Sequence, residues 1–363
     1  MITGNTLLRS AAPEGREEVR DLLDPSAPGG PDRLFAGAAA LKEQAVGLEI
    51  YLRGIVEFSN ICAKDCLYCG IRRSNRRVER YRMEEDEIID AALDAYRSGF
   101  TSVLLQAGER TDREFIELAE RVVRRLKEIT SGGIGITLSL GEQEAATYRR
   151  WFKAGAHRYL LRIETSSPRL YRRYHPAGHD HALRKRCLDD LRRIGYQVGS
   201  GILIGLPGQT ADDLAEDVLF LKEMDVDMIG MGPYIPHRDT PLFDRASGFS
   251  PGRQLELGLR MIAVCRLLMP DINIAATTAL QALSPEGWRR GIRAGANVVM
   301  PNFTPARYRA AYSIYEGKPA AGDGADPLAE LERLFAGLPE KIVTGRWGDS
   351  PRFLKRKMPD TTG

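Results

Sequence analysis

Three of the five cysteines in this chain lie within eight residues, at Cys62, Cys66 and Cys69 in the run NICAKDCLYCG. Their spacing is C-x3-C-x2-C. A disulfide uses two thiols, and a zinc ion would need a fourth ligand that no nearby Cys or His in the sequence supplies. A 4Fe–4S cluster has four irons, so three thiolates leave one iron open to a small-molecule ligand. The spacing therefore predicts a cluster-binding loop.

Polar residues follow two of the predicted strands at the points where those strands end. Gln106, Gly108 and Glu109 lie at the end of the second strand, and Arg162 with Glu164 lie at the end of the fourth. The carboxyl ends of parallel barrel strands carry catalytic residues, and charged groups there need a partner or a ligand. We therefore expect a ligand site at these ends. The alternatives are an ordinary strand-to-helix turn and a mutual salt bridge of Arg162 with Glu164.

Short aliphatic runs alternate with segments of helical period, which predicts alternating strands and helices. The predicted strands are 49–57, 102–107, 134–138, 158–163, 197–204, 228–232, 272–276 and 297–300. The predicted helices are 14–22, 31–46, 84–98, 111–129, 142–154, 181–194 and 251–268, with capping boxes at Thr111–Glu114 and Thr210–Asp213. Eight strand–helix units predict an α/β fold whose parallel strands close into a complete (β/α)8 TIM-type barrel, with an open doubly wound sheet as the alternative. We expect an N-terminal helical extension over 1–47, the barrel over 48–317, and a C-terminal helix and tail over 318–363.

The composition excludes several classes of protein. The 363 residues are 43% hydrophobic and 28% charged, and a formal net charge of +3 does not favour nucleic acid or a membrane as a partner. The N-terminal run lacks the apolar segment of a signal peptide, and no apolar run reaches the ~18 residues of a membrane span. An odd number of cysteines in a long chain argues against a disulfide framework. We therefore expect a cytoplasmic, reduced protein.

The cysteine spacing, with the aromatic Tyr68 before the third cysteine, resembles the signature of the radical S-adenosylmethionine (SAM) superfamily. Within it the chain is similar to the HydE family, the maturases of FeFe-hydrogenase, over about residues 48–317. The matching runs are EFSNICAKDCLYCGIRRSN, LSLGE, RYLLRIETSSP, GLPGQT, GPYIPHRDTPL, ATTA and MPNFTP. Biotin synthase and methylornithine synthase are related families and must be weighed as alternatives.

The resemblance implies one 4Fe–4S cluster, held by the three cysteines, and SAM as cofactors. SAM would chelate the open iron and be cleaved reductively to methionine and a 5′-deoxyadenosyl radical. The implied SAM-binding residues are Tyr68, Gln106, Gly108, Glu109, Glu164, Arg184, Gly201 and Met228. The implied substrate-binding residues are Thr137, Arg158, Arg162, Thr277, Thr278, Met300 and Tyr312, and Arg162 and Glu164 also count as catalytic beside the cysteines.

The resemblance also implies a substrate and partners. The substrate would be a small iron–cysteine carbonyl cyanide complex made by a partner maturase, from which the di-iron subcluster of the hydrogenase is assembled. The partners would be the other hydrogenase maturases and a reducing flavodoxin- or ferredoxin-like electron donor. A methylornithine synthase-like or other amino-acid-acting enzyme is the first alternative, and a non-enzymatic iron–sulfur carrier is the second.

Two further features bear on accessory sites. Cys187 and Cys265 fall within predicted helices, where we expect them as buried apolar residues. No cysteine follows Cys265, so the sequence predicts no cysteine-ligated cluster in the C-terminal region. Six arginines lie between residues 72 and 82, and this run is either a solvated face or a docking patch for an acidic electron donor.

Overall fold

The computed structural model of the chain describes residue 13 and residues 15–25, 30–318 and 326–357. Its strands are β1 Glu49–Leu52, β2 Gly54–Ser59, β3 Ser102–Ala107, β4 Gly135–Ser139, β5 Arg158–Leu160, β6 Gln197–Ser200, β7 Leu203–Ile204, β8 Met228–Ile229, β9 Gly232–Pro233, β10 Asn273–Ala276, β11 Val298–Val299 and β12 Lys341–Val343. Its helices are α1 Arg16–Leu23, α2 Gly30–Val46, α3 Glu85–Arg97, α4 Arg113–Ile129, α5 Ala145–Ala154, α6 Pro168–Tyr174, α7 His181–Ile194, α8 Ala211–Glu223, α9 Pro251–Leu268, α10 Thr278–Leu283, α11 Gly287–Arg293, α12 Ala306–Arg309, α13 Pro327–Phe335 and α14 Pro351–Lys357. Parts of the predicted N-terminal extension and of the C-terminal region lie outside the described residues.

Ten of these strands form one parallel sheet in the order β12-β1-β11-β10-β8-β6-β5-β4-β3-β2, and β7 pairs with β9 beside it. The α/β class with parallel strands, predicted from the alternation of strands and helices, is confirmed. The sheet is curled, and its end strands β12 and β2 do not pair with each other. The observed strand order is that of a curled sheet, whereas the sequence predicts a fully closed barrel. Two predicted strands are each divided, the first into β6 and β7 and the second into β8 and β9.

The predicted strand over 49–57 is broken at Arg53, a buried residue that separates β1 from β2. β1 pairs with β11 near one end of the sheet, whereas β2 pairs with β3 at the other end. Ile55 in β2 also bonds to the chain that follows β11. Its N–H donates to the Pro301 carbonyl, and its carbonyl accepts from the Phe303 N–H, both at 2.8 Å.

Most predicted helices are present, and α7 and α9 have the predicted ends. α8 begins with the predicted capping box, in which Thr210 and Asp213 each accept a hydrogen bond from the other's backbone N–H. The capping box predicted at Thr111 is wrong. The side chain of Asp112 accepts the hydrogen bond from the Phe115 N–H, so α4 begins one residue later than a Thr111 cap would require.

Residues 347–350 lie across the amino ends of several central strands, and we call them the amino-end plug. Asp349 accepts hydrogen bonds from Arg158 at the start of β5, at 2.7 Å, and from Gln197 at the start of β6, at 2.9 Å. Asn273 at the start of β10 donates to the carbonyl of residue 348 at 2.8 Å. The plug therefore covers the end of the strands opposite to the carboxyl ends.

The terminal elements pack onto this body. α1 packs against α8, α2 packs against α9, and β12 extends the sheet beside β1. Within the described residues, the helices are all too short or too polar to cross a lipid bilayer.

Candidate active site

The loop that carries the cysteines connects β2 to α3 and is held closed by its own side chains. Asn60 donates through Nδ2 to the carbonyls of Glu79 and Ala311, both at 2.7 Å, and its Oδ1 accepts from the Tyr81 N–H. The guanidinium of Arg80 donates to four carbonyls of the same loop. Arg80 is thus an internal support of the loop, although it belongs to the arginine run predicted as a solvated face or a docking patch.

Cys62, Cys66 and Cys69 are free thiols on this loop. Burial raises the pKa of all three thiols, that of Cys69 to about 12. The loop rests on the end of β3, where the Glu109 N–H donates to the Cys62 sulfur at 3.3 Å. Gly108 permits this approach, because a Cβ there would lie 2.4 Å from a carbonyl oxygen of the loop. The structure therefore brings Gly108 and Glu109 to the cysteines.

Four charged side chains form a nearly buried group beside the cysteines, which we call the charged cluster: Lys64, Glu109, Glu142 and Arg184. Arg184 Nε lies 2.7 Å from Glu142, and Arg184 Nη2 lies 3.5 Å from Glu109. Lys64 lies 2.7 Å from Glu142 and 3.2 Å from Glu109. Burial raises the pKa of Glu109, with Arg184 acting against it. At Glu142 burial also raises the pKa, but Arg184 and Lys64 outweigh it and lower the pKa below its usual value.

Sequence reasoning places Glu109 and Arg184 in the site but misses Lys64 and Glu142. A signal for Glu142 was available, because it follows β4 much as Glu109 follows β3. Acidic residues after neighbouring parallel strands meet at one edge of the sheet. Lys64 lies inside the cysteine motif, where its role depends on contacts with distant residues that spacing does not predict.

Arg162 and Glu164 form a mutual salt bridge, which is the predicted alternative to a ligand at this strand end. Arg162 Nη2 lies 3.0 Å from Glu164 Oε2 and also donates to the Ile202 carbonyl at 3.0 Å. Among the described residues, Arg162 Nε and the buried Thr137 Oγ1 have no hydrogen-bond partner, and the contact of Glu164 Oε2 is this ion pair with Arg162. Glu164 also has a φ of +68°, in the left-handed region that non-glycine residues rarely adopt. Two buried polar atoms in this region, Arg162 Nε and Thr137 Oγ1, are therefore available to a polar ligand.

The turn after Glu164 is fixed by a buried carboxylate on α8. Asp217 Oδ1 accepts hydrogen bonds from the backbone N–H and the hydroxyl of Ser166 and from the Thr165 hydroxyl. Asp217 Oδ2 lies 3.4 Å from Gln209 Nε2, and Gln209 Oε1 accepts from the Gly205 N–H at 2.7 Å. Burial raises the pKa of Asp217 to about 7. Asp217 thus joins the turn after β5 to the GLPGQT loop.

Tyr68 lies against a group of histidines that sequence reasoning does not single out. Its hydroxyl is 3.0 Å from His175 Nε2, and His175 Nδ1 is 2.9 Å from the Tyr171 carbonyl. His179 Nε2 accepts from the Asp65 N–H at 3.2 Å. Burial lowers the pKa of His175 to about 3 and that of His179 to about 4, so both imidazoles are neutral at neutral pH. The sequence does contain a signal for this group, because three of the five histidines lie between residues 175 and 181.

Residues 311–318 cross the carboxyl ends of the strands, and we call them the C-terminal strap. Gln106 Nε2 donates to the Tyr312 hydroxyl at 3.2 Å, and the hydroxyls of Thr278 and Tyr315 are 2.8 Å apart. The strap also meets the cysteine loop, because the N–H of residue 70 donates to the carbonyl of residue 314 at 3.0 Å. Three predicted site residues, Gln106, Thr278 and Tyr312, are thus brought to one place.

A buried ion pair anchors the far end of the strap. Lys318 Nζ lies 2.5 Å from both carboxylate oxygens of Glu57 in β2, and Asn302 Nδ2 donates to Glu57 at 2.9 Å. The Lys318 ammonium also lies 4.9 Å from the centre of the Tyr312 ring. Sequence reasoning misses Glu57, because a charged residue inside a predicted strand carries no sign of its partner.

Other predicted site residues lie deeper or elsewhere. Arg158, predicted to line the substrate cavity, is fully buried at the amino end of β5, where it donates to Asp349, Ser102 and a carbonyl of the amino-end plug. Met300 packs in an apolar group with side chains of β2, β3, β10 and β11. Met228 accepts from Arg53 through its sulfur at 3.1 Å.

Two more of the predicted residues contact backbone. At Gly201 a Cβ would lie 2.2 Å from the Gly230 carbonyl oxygen, so its lack of a side chain serves close packing of two strands. The Thr277 hydroxyl donates to the Met231 carbonyl at 3.1 Å. The cysteines Cys187 and Cys265 are buried in α7 and α9, as predicted.

The residues present fit an iron–sulfur cluster and a small polar ligand. Three thiols lie on one loop whose conformation is fixed by internal hydrogen bonds. Cysteine thiolates are the usual ligands of iron–sulfur clusters. The charged cluster lies after the carboxyl ends of neighbouring strands, as do Arg162 and Glu164 after β5, whereas the unpartnered Thr137 Oγ1 lies within β4. A zwitterionic or polar ligand would satisfy these groups, whereas an apolar ligand would leave them unpaired.

Comparison with known proteins agrees with this chemistry. A profile of the Radical SAM superfamily matches residues 56–221. The chain is 44% identical over 305 residues to the FeFe hydrogenase maturase subunit HydE of Thermotoga maritima, covering 84% of each chain. It is 28% identical to the 3-methylornithine synthase of Methanosarcina barkeri, over 79% of each chain. The crystal structure of methylornithine synthase (PylB) matches with a TM-score of 0.78 at 24% identity, over 94% of this chain and 97% of that one, which shows a shared fold. The chain belongs to the HydE family of radical SAM enzymes.

Proposed function

We propose that this chain generates a SAM-derived radical to assemble the di-iron subcluster of an FeFe-hydrogenase from an iron–cysteine carbonyl cyanide precursor. The observation that carries the proposal is the 44% identity to a HydE maturase over 84% of the chain, compared with 28% identity to a methylornithine synthase. The polar, partly unsatisfied groups at the strand ends support a small polar substrate rather than an apolar one.

Cys62, Cys66 and Cys69 are assigned as the three ligands of one 4Fe–4S cluster. These residues would hold the cluster, which would supply the electron for reductive cleavage of SAM. The loop gathers the three thiols through its internal hydrogen bonds. The Glu109 N–H that reaches the Cys62 sulfur favours the thiolate form of that residue.

The charged cluster is assigned to the methionine part of SAM. Glu109 accepts hydrogen bonds from the ammonium group of the methionine, and Arg184 and Lys64 form ion pairs with its carboxylate. Each of these residues is ion-paired with another residue of the charged cluster, so a zwitterionic ligand exchanges one set of ion pairs for another. This exchange avoids the cost of burying an unpaired charge.

Glu164 and Tyr68 are assigned to the nucleoside part of SAM. The Glu164 carboxylate is buried and is paired with Arg162, and its oxygens can accept a further hydrogen bond from a ribose hydroxyl. Tyr68 is packed beside Leu170 and Tyr174 of α6 and presents an aromatic surface next to the cysteines. Gln106 is assigned to the same ligand by the family resemblance. Met228, which the resemblance also implies, is the first residue of β8 and is bonded to Arg53 beside the amino-end plug, so it is assigned to the opposite end of the strands.

The substrate is assigned to the space between the C-terminal strap and the apolar group around Met300. Arg162 offers a fixed positive charge for an anionic ligand, and Thr137, Thr278 and Tyr312 offer hydroxyl groups. Thr277 completes the proposed set by resemblance. Arg158 is assigned to closure of the opposite end, because all three of its guanidinium nitrogens are already bonded there.

We also propose that the strands close into a complete eight-stranded barrel over residues 48–317, flanked by the 1–47 extension and the 318–363 region. β1 and β2 are consecutive parts of one chain segment, yet they stand near opposite ends of the sheet order. The strand order that starts at β1 therefore ends at β2, on the same segment of the chain, as the strands of a closed barrel do. The bonds from Ile55 to the chain after β11 support this closure.

An acidic electron-donor protein is proposed to dock beside the cysteine loop. Arg73, Arg76 and Arg77 are exposed on that loop, whereas the other three arginines of the run are partly buried and bonded within the chain. Clustered positive charge steers an acidic partner toward the surface that carries the cluster. We propose a cytoplasmic location, where free thiols stay reduced.

Complementation tests the proposed function. Expressed without oxygen in cells that lack HydE but keep the other maturases, the chain should restore hydrogenase activity. Arg162→Ala should still cleave SAM yet fail to support maturation, and Arg172→Ala, on the exposed surface of α6, should behave as wild type. A cluster-loaded wild-type chain that restores no activity contradicts the proposal. Turnover of lysine would then favour the methylornithine synthase alternative, and absence of 5′-deoxyadenosine would favour the carrier.

A further inference from the structure

The cysteine loop and the chain after α6 bring together three side chains that the proposed function does not use jointly. One ligand atom each from Cys66, His175 and His179 lies within 4.8 Å of the other two. Within the part of the chain that the structure describes, no other trio of His, Cys, Asp or Glu side chains is this close. His175 is buried, and Cys66 and His179 are partly buried.

The hydrogen bonds of the two imidazoles leave metal-binding lone pairs within reach. A carbonyl only accepts, so the contact of His175 Nδ1 with the Tyr171 carbonyl puts the proton on Nδ1 and the lone pair on Nε2. That lone pair is shared only with the Tyr68 hydroxyl. His179 makes one long contact, with the Asp65 N–H, and its buried Nδ1 has no partner. At each ring, metal binding through the Nε2 lone pair therefore exchanges one hydrogen bond, from the Tyr68 hydroxyl or from the Asp65 N–H, for a bond to the ion.

We propose that the cluster-free protein binds one divalent ion of borderline softness, zinc or ferrous iron, through Cys66, His175 and His179. One thiolate and two imidazoles are ligands that both ions accept, and water supplies a fourth. Tetrahedral zinc with Zn–N near 2.0 Å and Zn–S near 2.3 Å places its donors about 3.3–3.6 Å apart. Donors already within 4.8 Å reach that spacing by side-chain rotation. Binding releases the Cys66 thiol proton to solvent.

The shared cysteine makes this site and the cluster mutually exclusive. Cys66 cannot ligate a lone ion at the histidines and an iron of the cluster at the same time. The ion would therefore occupy the protein before cluster loading and be displaced by it. This inference goes beyond the proposed function, and a failure of hydrogenase maturation would not affect it.

Cobalt titration of the chelator-treated, cluster-free full-length protein, without oxygen, tests the site. We expect one Co²⁺ per chain, with a thiolate charge-transfer band in the ultraviolet and the intense visible bands of a four-coordinate ion, and displacement by Zn²⁺ and, in a separate titration, by Fe²⁺. Cys66→Ser should abolish the thiolate band, and His179→Ala should weaken binding at least tenfold. His181→Gln is the matched control, because His181 packs near the same Tyr171 ring but lies outside the trio, and it should bind as wild type.

A second comparison separates the proposed site from a three-thiolate site. Cys69→Ser and Cys62→Ser should keep one cobalt ion with an unchanged visible spectrum. The proposal is overturned if either of these variants abolishes binding while His179→Ala does not, since the three cysteines alone would then hold the ion. It is also overturned if wild type binds no cobalt. Added zinc should slow cluster reconstitution, measured by absorbance near 400 nm, in wild type but not in His179→Ala.

Discussion

Nε of Arg184 donates to Oε1 of Glu142 across 2.7 Å, and both side chains are more than nine-tenths buried. The two residues come from the helix α7 and from the loop after β4, so the bond joins two units of the sheet behind the cysteine loop. A single buried charge without a partner is costly, and this pair therefore fixes where the guanidinium points.

The first prediction concerns this bond. Glu142→Gln should weaken SAM binding about tenfold to a hundredfold, because a charge-assisted hydrogen bond of about 1.5–3 kcal/mol no longer holds Arg184. The dissociation constant for SAM is measured by equilibrium dialysis on cluster-loaded protein. Glu117→Gln, at an exposed pair with Arg113, is the matched control and should leave SAM affinity unchanged. Equal SAM affinity in Glu142→Gln and wild type would remove Glu142 from the site.

The cysteines give the second prediction. Anaerobic reconstitution should load about four irons per chain, as one cubane cluster requires. Replacing Cys62, Cys66 or Cys69 by Ala should abolish SAM cleavage, measured as 5′-deoxyadenosine. Cys187→Ala and Cys265→Ala should keep the iron and the activity, because these thiols are buried within helices. About eight irons in the wild type would show a second cluster and contradict the single-cluster interpretation.

The ion pair that anchors the C-terminal strap gives the third. Lys318→Met leaves the Glu57 carboxylate buried without its cation, which should lower the free energy of unfolding by about 3–5 kcal/mol. The double variant Glu57→Gln/Lys318→Met should recover much of this loss, because no unpaired charge remains. Melting temperatures of the three proteins are compared, with Lys153→Met on the exposed side of α5 as control. A single variant as stable as wild type would show that the pair does not hold the strap.

Asp217 gives the fourth prediction, on pH. Its pKa is raised to about 7 by burial, whereas an unfolded Asp titrates near about 3.9. The folded state therefore holds the proton more tightly, so the stability from this group is complete below about pH 4 and is lost as the pH rises toward 7. Relative to Asp217→Asn, wild type should lose stability between pH 5 and 7, by up to about 1.4 kcal/mol per pH unit. Melting temperatures from pH 5 to 8 measure this, and parallel curves for the two proteins would refute it.

Local signals in the sequence predict several elements well. α7 ends before Gly195, whose φ of +105° is a conformation that glycine adopts readily, and α9 begins at a proline suited to the first helical turn. The cysteine spacing and the polar residues at strand ends point to the correct edge of the sheet. These features depend on neighbours in the chain, which the sequence displays directly.

Features that depend on distant partners are not predicted. The helix expected from residue 142 begins at Ala145 instead, because Glu142 is drawn to Arg184 and Lys64. The predicted strand over 49–57 is broken at the buried Arg53. In the sequence, Arg80 cannot be told apart from the other arginines of the basic run. Only the folded loop shows the carbonyls that accept its hydrogen bonds.

The amino-end plug has a consequence for the side from which ligands reach the site. Because Asp349 and its neighbours cover the amino ends of β5, β6 and β10, small molecules must arrive from the side of the cysteines. The charged cluster and the C-terminal strap stand at the opposite, carboxyl ends, so a ligand reaches them on the same side as the cysteine loop.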